Sequence, residues 1–216
     1  MSLIASAKAV STTPPIEAGA YAAICYGMID LGMQFSEQYG RSSHKIAILW
    51  EIPSEILEVN GEHVTRTISQ TYTCSLSERA ALRRDLESWR GRPFTDAELT
   101  AFDLRNIVGA PCMLNIIHTE RNGNTYANVS TIMRLPKGME APKGTREHLI
   151  FDLDESNLAL LEKMPKWAVD KIKSSETYAE RIAGEADQSG DEDIDTETTA
   201  VEFQEELAQS DEELPF

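Results

Sequence analysis

Apolar and polar positions change period several times along this chain. Residues 20–32, AYAAICYGMIDLG, mix β-branched, aromatic and small side chains and end on glycine, which predicts a strand. In 44–52, HKIAILWEI, the residues Ile46, Ile48, Trp50 and Ile52 alternate with Ala47, Leu49 and Glu51, a second strand that runs into Pro53. A third, 63–76, is dense in Thr, Ile and Tyr and follows an Asn60-Gly61 turn. The period then becomes helical. Ser75 to Glu78 reads as a capping box, Leu82, Leu86 and Trp89 fall on one stripe, and Gly91 ends the helix. Thr95 to Glu98 opens a shorter helix carrying Leu99 and Phe102. Strand character returns in 111–120 and 125–136, with Asn122-Gly123 between them as a hairpin turn. A helical coda follows from Ser156 to Ile172, its second half opened by Pro165 and anchored by Trp167 and Ile172.

Three strands, a helix and a two-stranded hairpin are the element order of a mainly β, OB-fold-like five-stranded Greek-key barrel. In that fold the face of strands two and three, with the first and fourth loops, takes up oligonucleotides. Here those loops are 33–45 and 121–124. The expected organisation is a flexible arm over 1–15, a barrel with a helical extension over 16–183, and a disordered acidic tail over 184–216.

Charge sharpens that division. The formal net charge is −16, which by itself argues against a polyanionic ligand. Of the 36 acids, 13 lie in 184–216, a stretch with no Lys or Arg, which leaves 23 acids against 20 bases in the body. Residues 66–146 hold 12 bases and 8 acids, so the middle of the chain is basic. No apolar run is long enough to span a bilayer, and the N-terminus carries no continuous apolar core of the kind an export signal needs. A cytoplasmic location is expected, with Cys25, Cys74 and Cys112 as reduced thiols. The four histidines pair with no cysteine at zinc-ligand spacing, so neither a metal nor a cofactor is expected. Pro142 to Thr145 runs Lys-Gly-Thr and lacks the glycine spacing of a phosphate loop. Asp152 to Asn157 lacks the glycine and distal Glu of a calcium loop and reads as a helix cap. With no activated nucleophile or metal set, a non-catalytic protein is expected.

The chain ends Asp211, Glu212, Glu213, Leu214, Pro215, Phe216. This resembles the acidic tip of bacterial and phage single-stranded DNA-binding proteins, which finish in a run of Asp followed by Ile-Pro-Phe. Glu at two acidic positions and Leu for Ile depart from that pattern and keep its chemistry. LWEIP, LESWRGRPF and MPKWAVDKI in the body resemble the phage replication-module members of the same group. The resemblance implies a protein that coats single-stranded DNA, in the host cytoplasm if phage-encoded, and recruits replication or recombination enzymes through residues 211–216. Phe216 would fill an apolar pocket on such a partner, with its α-carboxylate on a neighbouring cation. A homo-oligomer is compatible with this reading. The competing class is an acidic interaction protein that mimics DNA and blocks a DNA-processing enzyme.

Coating a single strand requires cations along the backbone and aromatic faces for the bases. The candidates are Tyr39, Arg41 and Lys45 at the first loop, Trp50, Arg66 and Tyr72 on strands, Arg90 and Arg92 after the helix, Arg121 and Tyr126 in the hairpin, and Arg134. Trp50 shares its face with three isoleucines and Tyr72 shares its face with Ile68 and Arg66, so core packing competes with stacking at both. For Arg90 and Arg92, DNA and another subunit are alternative neighbours.

Overall fold

The computed structural model describes residues 13–59 and 61–188. Two compact units divide the chain, residues 1–178 and residues 179–216. The first contains β1 (Gly19–Ser36), β2 (Arg41–Val59), β3 (Glu62–Thr73), α1 (Ala81–Arg90), α2 (Asp96–Thr100), β4 (Pro111–Arg121), β5 (Asn124–Met133), β6 (Leu149–Phe151) and α3 (Lys166–Lys173). The last helix, α4 (Glu176–Gln188), begins in the first unit, and its remainder is the described part of the second. It runs past Gly184, the expected start of the tail. Residues 1–12 of the expected arm and 189–216 of the expected tail, including Asp211–Phe216, lie outside the described residues.

Five strands form a curled antiparallel, OB-like half-barrel in the order β3-β2-β1-β4-β5. The curl follows from bulges. Register shifts fall in β1 between Cys25 and Gly27 and between Asp30 and Gly32, and in β2 between Ile52 and Ile56. Each extra residue bends the strand and increases its twist. The last shift extrudes Pro53, which has no N–H for the ladder, so β2 continues beyond the expected stop. β1 is long enough to have two neighbours on one edge: β4 along Gly19–Ile24 and the parallel β6 along Gly27–Ile29.

Both faces of β1 and β2 are buried, on two cores. Ile46, Ile48, Trp50 and Ile52 point into the barrel with Leu114 and Ile132, and Leu82, Leu86 and Trp89 of α1 plug it. Ala47 and Leu49 pack outward under Phe151, Leu153, Ala168 and Ile172 of the C-terminal segment. The near-continuous apolar run of β2 reflects this double burial.

α1 starts at Ala81 with no side-chain cap, so the expected box at Ser75 is not formed. The Ser75 hydroxyl instead accepts from the Ser77 N–H. The box at Thr95 and Glu98 does form. Asn122 (φ 52°) and Gly123 (φ 74°) make the two-residue hairpin turn that their pairing predicts. In Asp152 to Asn157 the side chains cap: Asn157 accepts from Ala159 N–H, and Asp152 from Asp154 N–H.

The Lys-Gly-Thr segment holds a carboxylate of its own chain. Glu51 has no solvent exposure. Its oxygens accept from the hydroxyls of Thr65 (2.6 Å) and Thr145 (2.6 Å) and from the N–H groups of Thr145 (3.0 Å) and Arg146 (3.2 Å). Burial pushes this carboxyl up, and the hydrogen bonds outweigh burial and hold it below the ordinary carboxylate value. The loop is thereby fastened across the outer face of β2 and β3.

Candidate functional site

A groove of about 530 Å³ opens where the β1–β2 hairpin, the end of β3 and α3 meet. The ladder continues to Phe35↔Ser42 and Ser36↔Arg41, so most of the expected loop 33–45 is strand. A tight turn remains, in which Gly40 at φ 59° donates its N–H to Ser36 O. This places Phe35 and Tyr39 on the groove with 60% and 67% of their surface open. Trp167, 39% open, forms the wall supplied by α3.

Three cations line the same groove: Arg41, Lys45 and Lys171. The Arg41 guanidinium lies 6.0 Å from the Tyr39 ring centroid. Lys45 Nζ donates to Thr73 Oγ1 at 2.7 Å. Among the described residues no lining residue is acidic. α3 is tied to the sheet by Gln34, whose amide donates to the carbonyls of Leu31 (2.7 Å) and Lys171 (2.8 Å). Ala168 and Ile172 fill the core beneath, which turns Trp167 and Lys171, one helical turn apart, outward together. The arrangement offers π-faces and positive charge to a planar, anionic ligand.

The expected site residues scatter around this groove. Tyr39, Arg41 and Lys45 belong to it. Trp50 and Tyr72 do not, and their reading as stacking residues is corrected. Trp50 is fully buried with its ring centroid 6.0 Å from that of Trp89. Tyr72 is buried and donates its hydroxyl to Asp85 at 3.0 Å. Arg66 alternates with Ile68 and Tyr72 on the other face of β3 and donates to Pro14 O at 2.5 Å.

Arg90 and Arg92 lie outside this groove, and both pair with Glu98. Arg90 further lies 4.3 Å over Phe94 and 5.2 Å over Phe102. The bonds from Arg92 and then the Thr95 N–H hold the Glu98 carboxyl down at about 2. Arg134 is exposed beside these two arginines, on a separate cavity of about 450 Å³ against α1 and α2. Arg121 and Tyr126 are exposed on the β4–β5 hairpin. That hairpin extends from the opening end of β1, roughly 50 Å of strand contour from Phe35. None of residues 121–126 lines the groove, so the first and fourth loops do not share it.

Phe35, Trp167 and Lys171 were missed. Spacing held a signal for two of them, because Trp167 and Lys171 stand four apart and out of phase with Ala168 and Ile172.

Among the described residues no helix is long and apolar enough to cross a membrane. Comparison with protein-family models and with curated proteins found no match to this chain.

Proposed function

We propose that the groove binds single-stranded DNA without regard to sequence and that the chain coats exposed strands during replication or recombination. One observation carries the reading: three open aromatic rings and three cations line a single groove, and among the described residues no carboxylate lines it. Rings of this kind stack on any base, at about 1–3 kcal/mol per base, and the cations follow the phosphates. A rigid duplex keeps its base faces stacked inside, so single strands are preferred. Residues 211–216 supply the second half of the proposal, docking of partner enzymes through an aromatic residue with its own carboxylate.

The test is anisotropy of labelled oligonucleotides, single- and double-stranded, across a salt series. For single strands log K falls with log[salt] by about 0.7 per phosphate neutralised. Replacing Arg41, Lys45 and Lys171 together by Ala is expected to flatten that slope by about 2 and to weaken binding. Equal affinity for duplex would overturn the stacking argument. No binding at low salt, with inhibition of a DNA-processing enzyme instead, would favour mimicry.

A further inference from the structure

β3 carries an open row of hydroxyls away from the groove. Thr73, Thr71, Ser69 and Thr67 alternate on one face and are all exposed. Their cross-strand partners on that face are Lys45, Ala47, Leu49 and Glu51. The C-terminal segment roofs Ala47 and Leu49, and Glu51 is closed over by its loop, so the open track is β3 itself. It starts in the groove, which Thr71 and Thr73 line. It ends at Thr65, where the Glu51-fastened loop crosses.

That end holds two basic side chains, Arg146 and Lys143, beside the buried Glu51 carboxylate. Arg146 Nη2 donates to Thr65 O at 2.8 Å, and its guanidinium lies 5.7 Å from the Tyr26 ring centroid. Its Nε is buried with no hydrogen-bond partner among the described residues. Lys143 stands exposed on the same loop, and Glu147 is the exposed acid beside Arg146. We infer that Lys143 and Arg146 form a second phosphate-contact point for the strand held in the groove, reached along the Thr/Ser row.

The inference rests on the groove binding single strands. Thr73 and Thr65 are eight residues apart, about 26 Å along the strand. The groove covers only the Thr71–Thr73 end of this track, whereas the full track suits the lower end of the ~4–16 nucleotides that one such domain occupies. Hydroxyls suit the interval, because they donate to phosphate and sugar oxygens and carry no base preference.

Oligothymidylates of about three and about twelve nucleotides separate the two contact points. In the full chain, Lys143→Ala is expected to weaken the longer oligonucleotide by roughly three- to tenfold at low salt and to reduce its salt slope by about 0.7, leaving the shorter one unchanged. Lys143→Glu is expected to exceed that loss at the longer length alone. An equal loss at both lengths, or none at the longer, overturns the second contact point while the groove stands. If the unaltered chain binds neither oligonucleotide, the groove reading fails and this inference fails with it.

Discussion

Glu51 gives the sharpest test of how the outer face is built. Its carboxylate is fully buried between Trp50 and Ile52 in sequence and accepts from two hydroxyls and two backbone N–H groups. A hydrogen bond to a charged acceptor contributes ~1.5–3 kcal/mol, but the loop donors recover water once the carboxylate is gone. Glu51→Ala is therefore expected to destabilise the protein by about 2–4 kcal/mol, the loss of a charged acceptor by four neutral donors that water satisfies only in part. Glu51→Gln keeps the shape and sets an amide NH₂ against N–H donors, for an expected loss of about 2–3 kcal/mol. Urea unfolding followed by circular dichroism reads both values. pH supplies an independent check. A carboxyl held below its ordinary value contributes stability that is fully present above the unfolded value, about 4.3, and is lost as pH falls through the folded value. The gap between the unaltered protein and Glu51→Gln should be flat at neutral pH and shrink below about pH 4.3. A Gln variant equally stable at pH 7, with the same acid limb, would refute the claim that this carboxylate fastens the loop.

Three further outcomes follow from local geometry. His44 Nε2 lies 2.7 Å from Asp30, and the hydrogen bond to Asp30 raises the imidazole to about 10. Its contribution is thus complete below the unfolded value of about 6.5 and fades as pH climbs through about 10, so His44→Asn should abolish that alkaline loss in melts between pH 7 and 10. Gly32→Ala places a side chain at φ 70° with its Cβ 2.7 Å from Ser175 Oγ and 2.8 Å from Leu153 Cδ2. A drop of about 2–3 kcal/mol in the urea midpoint energy is expected, and less than about 0.5 would show that the C-terminal segment yields. Tyr72→Phe removes the hydrogen bond to Asp85 and is expected to lower stability by about 1–2 kcal/mol with oligonucleotide affinity unchanged. An affinity loss at constant stability would return Tyr72 to the binding surface.

The fold was legible where a local rule and a tertiary requirement coincide. Asn122-Gly123 needs φ > 0 twice and has it, the Thr95 box closes, and Leu82, Leu86 and Trp89 face the barrel. It was illegible where tertiary pairing decides. Residues 33–45 carry no apolar alternation because the hairpin there projects past the core, yet backbone pairing continues to Ser36↔Arg41. β6 is three residues long and pairs where Gly27, lacking a Cβ, leaves room for Leu149. The binding surface was half legible for the same reason. Tyr39, Arg41 and Lys45 are close in sequence, whereas Trp167 and Lys171 reach them from across the chain. Trp167 was expected as an anchor of the helical coda; the phase of Ala168 and Ile172 turns it out instead.

The three tryptophans make the central claim directly measurable. Trp50 is 0% and Trp89 6% exposed, while Trp167 is 39% exposed on the groove. Titrating the full chain with a single-stranded oligonucleotide at low salt should quench part of the intrinsic emission, and the quench should vanish in Trp167→Phe and weaken as salt rises. Quenching that survives in Trp167→Phe, or emission that never responds while the oligonucleotide binds, would contradict the groove as the place where the bases stack.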